Sequence, residues 1–155
     1  MRVVVQRSLL SSVSVEEKLI SKIPFGLVLL VGFTDGDTIE DIDYMVRKIT
    51  NLRIFNDEEG IMNKSILDVG GSILSISQFT LHADTKKGNR PSYIKAMKGE
   101  EAKVLYDKFN QELSKVVETK TGIFGAYMQV NILNDGPVTI LLDTKSDCKI
   151  LKSSI

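Results

Sequence analysis

The sequence predicts an α+β fold in which short β-strands accompany two main helices. Short apolar runs bounded by turn-forming residues are typical of strands, and two longer segments repeat their apolar residues at the spacing of one helix face. The chain has 155 residues, which is about the length of one domain with one sizeable core. We therefore expect a single domain over residues 1–145 and a polar tail over residues 146–155.

The charge balance argues against binding driven by the net charge of the whole molecule. Lysine and arginine together number 20, as do aspartate and glutamate, so no net field attracts nucleic acid or an anionic membrane. Any RNA contact would need a local basic patch.

The one cysteine, Cys148, cannot form an internal disulfide, which favours a reducing compartment and an idle thiol. The apolar run at residues 3–5 is too short for a signal peptide or a membrane span, so we expect a cytoplasmic protein.

Three strands and a helix are expected in the first third of the chain. Residues 3–6, the alternating residues 12–15 and the apolar residues 27–33 have strand character, and the last run is apolar enough to be buried on both faces. Thr38 and Asp41 have the spacing of a capping box at the start of a helix. Apolar residues then follow at helical spacing, at Ile39, Ile42, Met45, Val46 and Ile49.

The middle of the chain is expected to contain two strands and an exposed loop. Residues 52–55 resemble a strand that ends at the turn-rich residues 56–60. In residues 72–77, serine partly alternates with isoleucine and leucine, which predicts one buried face and one face of hydroxyl groups. That strand would lead directly into Gln78, Phe79 and Thr80. The polar residues 83–92 are expected to form an exposed loop.

The second helix has the clearest periodicity in the sequence. Its apolar positions are Ala102, Leu105, Tyr106, Phe109, Leu113, Val116 and Val117, a pattern that favours a helix covering a sheet. Residues 128–133 and 138–143 are two further strand-like runs, and residues 134–137 lie between them. The chain becomes polar from Thr144 onward, where we expect it to fray.

The only histidine raises the question of a catalytic pair. If Thr80 lay on an extended strand, His82 would point to the same face and could act as its general base. Same-face neighbours on a strand are about 6.5–7 Å apart at the backbone, and an ordinary solvent-facing histidine is the better interpretation. Thr80 without a base is a poor nucleophile, so binding is the better interpretation.

The glycine pair at residues 70–71 has no phosphate-loop spacing and no acidic run has complete metal-ligand spacing, so neither cofactor nor metal is expected.

Two loops leave alternatives open on physical grounds. Lys86, Lys87 and Arg90 could contact phosphates, with Tyr93 near enough in sequence to stack on a base, or they could form an ordinary solvated loop. The Gly136–Pro137 step could be part of a hairpin connection. Alternatively, a cis X-Pro bond there could direct bare carbonyl groups toward a ligand.

Four ordered motifs resemble those of one protein family. They are SQFTL at residues 77–81, GNRPS at 88–92, GAYMQV at 125–130 and NDGPVT at 134–139. Together they closely resemble the D-aminoacyl-tRNA deacylases. The similarity extends from VQR at residues 5–7 to about Asp143.

The resemblance implies a homodimeric hydrolase with layered β/β/α sheets in mainly antiparallel pairing. Such an enzyme cleaves the ester between a D-amino acid and the 3′-terminal adenosine of tRNA, and it also removes glycine from mischarged tRNA. The family's Gly-Pro bond is cis and enters the partner's pocket. By this resemblance, Gly136 and Pro137 are expected to form the backbone gate that rejects L-aminoacyl-tRNA.

The resemblance also implies a site without a side-chain nucleophile. Backbone amides around Phe79 and Thr80 would hold the ester carbonyl while the RNA 2′-OH assists hydrolysis. His82 has no family role. Implied substrate-binding residues are Ser77, Gln78, Met128, Gly136 and Pro137, and implied RNA contacts are Lys86, Lys87 and Arg90. Two alternatives are a catalytically silent tRNA-binding dimeric module and a Thr-dependent hydrolase of small esters.

Overall fold

A five-stranded sheet forms the centre of the computed structural model, which describes residues 1–147. Cys148 and the rest of the expected tail therefore lie outside the described residues. The strands are β1 (Arg2–Ser8), β2 (Ser11–Val15), β3 (Lys18–Ile23), β4 (Gly26–Gly32), β5 (Phe55–Asn56), β6 (Met62–Lys64), β7 (Ser72–Ser77), β8 (Thr119–Thr121), β9 (Gln129–Asn131) and β10 (Asn134–Asp143). The helices are α1 (Ile39–Asn51), α2 (Ile66–Val69), α3 (Gly99–Ser114) and α4 (Thr144–Asp147), and a 3₁₀ turn spans Phe79–His82.

The sheets and helices form three layers. The central sheet has the order β10-β1-β4-β7-β8, in which β1 pairs antiparallel with both neighbours while β4, β7 and β8 run parallel. A smaller antiparallel sheet has the order β3-β2-β9. Helices α1 and α3 cover the opposite face of the central sheet. This arrangement confirms the expected α+β class with mostly antiparallel pairing and two main helices.

Two hydrophobic cores separate these layers. The larger core lies between the central sheet and the helices, where Phe109 of α3 and Met45 of α1 are fully buried beside Leu29 of β4. The smaller core lies between the two sheets, where Val28 of β4 meets Val13 of β2. Successive residues of β4 thus enter opposite cores, which confirms that this strand is buried on both faces.

Several local predictions are confirmed by the backbone. Strands β1, β2, β4 and β7 lie where the apolar runs predicted them, and α3 covers most of the expected second helix. Helix α1 begins with the predicted capping box: the Thr38 and Asp41 side chains each bond to the other's backbone amide. No helix within residues 1–147 is long and apolar enough to cross a bilayer.

Other local predictions are wrong or incomplete. Of residues 52–55 only Phe55 is in a strand, because the chain leaves α1 at Leu52 and pairs only briefly in the β5–β6 hairpin. The short elements β3, β6 and α2 were not predicted, since they contain few apolar residues or too few residues to show a period. Helix α3 ends at Ser114, before the last apolar positions of its predicted pattern.

Three further expectations fail because of tertiary packing. Ser75 of β7 is fully buried, since layers cover both faces of this strand and no hydroxyl face is exposed. Residues 134–137 are not a hairpin connection, because β9 pairs with β2 whereas β10 pairs with β1. Thr144 does not fray. It is buried in the first turn of α4, where its amide donates to the Met1 carbonyl at 3.0 Å.

Candidate active site

A cavity of about 720 Å³ opens where the parallel strands β4 and β7 end. Its volume is typical of a site for a small ligand. Parallel neighbours bring their carboxyl ends to the same edge of a sheet, so the residues that follow them meet there. The lining includes Gly32, Phe33, Ser77, Gln78, Phe79, Thr80, Tyr93, Met97, Ala102, Phe124, Tyr127 and Met128.

The wall after β7 is fixed by a tight backbone arrangement. The Gln78 amide donates to the Val31 carbonyl at 2.7 Å, and the chain then enters the 3₁₀ turn. Gly32 permits this packing, because a Cβ there would lie 2.7 Å from the Gln78 carbonyl oxygen. The Gln78 side-chain amide donates to the Thr80 hydroxyl at 2.5 Å. The Thr80 side chain is therefore held in place by its neighbour.

The 3₁₀ turn presents its first amide groups without backbone acceptors. The first N–H groups of any helix have no partner within that helix. Among the described residues, the amides of Phe79 and Thr80 find no other backbone acceptor, whereas the Leu81 amide donates to the Gln78 carbonyl. Both residues line the cavity. The cavity wall thus includes two adjacent residues whose amides have no backbone acceptor within residues 1–147.

His82 is a buried structural residue and forms no catalytic pair with Thr80. Both residues lie in the 3₁₀ turn, so the same-face geometry of a strand does not apply. The His82 Nε2 lies 3.1 Å from the Gly32 carbonyl, and because a carbonyl only accepts, Nε2 carries the proton. Burial lowers the pKa of His82, which favours the neutral imidazole. The prediction of a solvent-facing histidine is equally wrong, because only 6% of the residue is exposed.

The predicted basic loop adjoins the cavity mouth. Asp84 and Ser92 close it through two backbone hydrogen bonds of 2.8 and 2.9 Å. Lys86, Lys87 and Arg90 are all exposed between them, and none forms an ion pair with another described residue. The Lys86 amide and the Lys95 ammonium lower the pKa of the Asp84 carboxyl, so an anion remains at the base of the loop. The loop is exposed as predicted, and its closing residue Ser92 is followed directly by Tyr93, which lines the cavity.

The Gly136–Pro137 turn is exposed and anchored by a buried arginine. Its peptide bond is cis, and Gly136 has φ +120°, a conformation that disfavours side chains. Arg7, with 9% of its side chain exposed, donates from Nε to the Asp135 carbonyl at 3.2 Å and pairs with its carboxylate. The other end of the guanidinium donates to the Ile54 carbonyl at 2.9 Å. This anchor fixes the turn against the body of the chain.

The structure brings together five of the predicted site residues and leaves others apart. Ser77, Gln78, Phe79, Thr80 and Met128 line one cavity. Within the described chain, Gly136 and Pro137 are not part of that lining, and the basic loop lies beside the cavity mouth.

Sequence reasoning missed several residues that shape the site. Phe33, Met97 and Phe124 form apolar wall, and their sequence signal does not differ from that of core residues. Arg7 gave a detectable signal, since an arginine inside a strand-like run is unusual unless it has buried partners.

Known proteins share this fold. A structure described as a c-Myc DNA Unwinding Element Binding Protein is 46% identical, with a TM-score of 0.88, and the match covers 92% of this chain and 98% of that chain. A probable eukaryotic D-amino acid tRNA deacylase is 18% identical, with a TM-score of 0.79 and the same coverage. The second similarity extends to the fold alone.

The family model that matches this chain defines its class as a hydrolase that acts on the ester bond of aminoacyl-tRNA. A family model described as D-Tyr-tRNA(Tyr) deacylase matches residues 4–143. The chain belongs to this family, as its four motifs predicted.

Proposed function

We propose that this chain acts as a homodimer that removes D-amino acids and glycine from tRNA while sparing L-aminoacyl-tRNA. Water would cleave the ester to release the free amino acid and a tRNA with a free 3′-hydroxyl. The observation that carries the proposal is the pairing of two features: a cavity with free backbone donors, and an exposed backbone turn held rigid by Arg7.

In this proposal the protein promotes hydrolysis by positioning the ester and the terminal adenosine. The amides of Phe79 and Thr80 would bind the ester carbonyl oxygen and stabilise the charge that develops there. Ser77, Gln78 and Met128 would hold the terminal adenosine and the ester in the cavity. The ribose 2′-OH, adjacent to the ester, would assist attack by water. Within residues 1–147 the hydrogen-bond partner of the Thr80 hydroxyl is the Gln78 amide, a donor and not a base, which suits a substrate-assisted reaction.

The Gly136–Pro137 turn would discriminate between enantiomers by exclusion. An L-side chain would be driven into fixed backbone, whereas a D-side chain points away and the hydrogen of glycine fits either way. A ten-thousandfold preference requires about 5.5 kcal/mol, more than the 1–3 kcal/mol that a missing methylene group typically supplies. Steric exclusion by a rigid turn would supply the larger energy.

A homodimer would bring the turn to a cavity. Gly136 and Pro137 are exposed and outside the lining of their own chain's cavity, which is consistent with insertion into a partner. Exposed leucines lie next to the start of β10, the strand that carries the turn: Leu9 is 46%, Leu10 61% and Leu133 54% exposed, and the Leu9 amide donates to the Leu133 carbonyl. Such a patch is typical of a surface that another chain covers.

The basic loop would contact the tRNA backbone near its 3′ end, in the cytoplasm, without a cofactor or membrane contact. Exposed cations beside a cavity mouth suit phosphates. The 46% identical relative is named for binding a DNA unwinding element. Measuring the binding of duplex DNA and of tRNA by the same charge-reversed loop variants would therefore show whether this loop also binds DNA.

Three substrates test the proposed chemistry against its alternatives. We expect purified protein to hydrolyse D-Tyr-tRNA but to lose most activity on D-Tyr-tRNA whose terminal ribose lacks the 2′-OH. A Thr-dependent esterase would cleave the deoxy substrate and a simple ethyl ester of D-tyrosine. A silent binding module would cleave none of them.

A further inference from the structure

Two exposed aromatic rings stand together at the mouth of the cavity. The Phe79 and Tyr93 centroids are 5.2 Å apart, with an interplanar angle of 72°, and both residues line the cavity. Phe79 is 58% and Tyr93 42% exposed, whereas the cavity residue Phe33 is only 4% exposed. The pair therefore lies at the rim and not in the floor.

Backbone hydrogen bonds fix the segments that carry both rings. Phe79 begins the 3₁₀ turn that follows β7. Tyr93 follows Ser92, which closes the basic loop, and its carbonyl accepts from the Ala96 amide at 3.0 Å. The Met97 amide then bonds to the Phe33 carbonyl at 3.0 Å. Two large aromatic rings are thus exposed to solvent next to a cationic loop. Because they are exposed, they contribute little to the stability of the hydrophobic core.

We propose that Phe79 and Tyr93 form a stacking platform for the nucleotide that precedes the terminal adenosine of tRNA. Every base has a flat face that stacks on an aromatic ring, and a basic groove that follows the backbone normally accompanies such rings in single-strand binding. An edge-to-face pair leaves flat ring faces available. This inference rests on the proposed function, which places the terminal adenosine inside the cavity.

The connection between Tyr93 and the basic loop supports this assignment. Tyr93 directly follows Ser92, which closes the loop that carries the exposed residues Lys86, Lys87 and Arg90, so a strand stacked on Tyr93 would lie near the base of that loop. Stacking would hold the base while the loop contacts the phosphates. The platform would then add affinity for the single-stranded 3′ end that is insensitive to salt, whereas the loop's contribution would fall as salt rises.

The test uses unacylated oligonucleotides, so it does not depend on hydrolysis. The probe is the trinucleotide C-C-A with 2-aminopurine in place of the middle base, whose fluorescence falls on stacking, compared with adenosine alone. We expect quenching and tighter binding of the trinucleotide. Tyr93→Ala should weaken trinucleotide binding about tenfold with an unchanged salt slope, and Tyr93→Phe should restore it. Ile94→Ala, which removes an 83% exposed side chain on the same segment, is the matched control.

The outcomes separate the platform from the proposed reaction. Equal binding of adenosine and trinucleotide, or a Tyr93→Ala variant that binds and quenches like the native chain, would overturn the platform even if D-aminoacyl-tRNA is hydrolysed. Quenching that Tyr93→Ala abolishes would support the platform. If the same protein then fails to hydrolyse D-Tyr-tRNA, the proposed reaction alone is refuted.

Discussion

Replacing Arg7 with lysine should loosen the Gly136–Pro137 turn and weaken chiral selection. The guanidinium has three partner residues: Nε lies 3.2 Å from Asp135, and Nη1 lies 2.9 Å from the Ile54 carbonyl and 3.3 Å from Asn56 Oδ1. A single ammonium cannot occupy both positions. Since a hydrogen bond to a charged group is worth about 1.5–3 kcal/mol, losing one should lower the free energy of unfolding by about that amount.

This loss should be visible in both stability and selectivity. At about 2–4 °C per kcal/mol for a chain of this size, the melting temperature of Arg7→Lys should fall by roughly 3–12 °C at fixed protein concentration. If the looser turn lowers the free-energy penalty on the L substrate by about 2 kcal/mol, the ratio of kcat/KM on D-Tyr-tRNA to that on L-Tyr-tRNA should fall about thirtyfold.

A matched substitution separates the anchor from a general arginine effect. Arg53 is exposed and donates to the Asn63 carbonyl at 2.9 Å, so Arg53→Lys should change stability little and selectivity not at all. If Arg7→Lys lowers the melting temperature but leaves the D-to-L ratio unchanged, the turn does not select chirality. If neither changes, the guanidinium contacts are not an anchor.

The remaining predictions concern Thr80, the basic loop and His82. Thr80→Ala should retain deacylation within about tenfold in single-turnover assays, because losing one neutral hydrogen bond costs about 0.5–1.5 kcal/mol; loss of turnover with intact tRNA binding would indicate a Thr nucleophile. Charge reversal at Lys86, Lys87 and Arg90 should weaken tRNA binding and reduce its salt slope by about one for each phosphate that the loop no longer neutralises, and unchanged affinity would remove the loop from the RNA interface. Burial lowers the pKa of His82 below its ordinary 6.5, so the unfolded state binds more protons and the free energy of unfolding should decline as pH falls from 6.5 toward the lowered pKa. His82→Gln, which keeps a donor for the Gly32 carbonyl, should reduce that decline in denaturant titrations at several pH values, and an unaltered pH dependence would contradict it.

The elements that sequence predicts well are those whose pattern is local. Helix α1 is an example, because the Thr38 cap and the apolar positions after it lie within four turns of chain. Strand β4 is another, because its continuous apolar run reflects burial from two sides. In contrast, β3 is largely exposed. Its strand conformation depends on pairing with β2, and nothing in its own composition indicates that pairing.

The sequence motifs identify several residues of the candidate site, but they do not predict the backbone conformation or the long-range contacts of those residues. Periodicity placed Thr80 at the end of a strand, yet the chain turns into a 3₁₀ helix there because Gly32 permits close packing of Gln78. The role of Arg7 depends on partners at Ile54 and Asp135, which are distant in sequence. Such contacts are fixed by tertiary structure, and no spacing rule encodes them.

Single-turnover deacylation of D-Tyr-tRNA, L-Tyr-tRNA and Gly-tRNA by the purified protein tests the central claim most directly. If a rigid backbone turn senses handedness, the D and glycyl substrates should both be cleaved, and the L substrate should survive with a rate lower by about ten-thousandfold. Comparable rates on the two enantiomers would contradict chiral exclusion, and a spared glycyl substrate would contradict a purely steric gate.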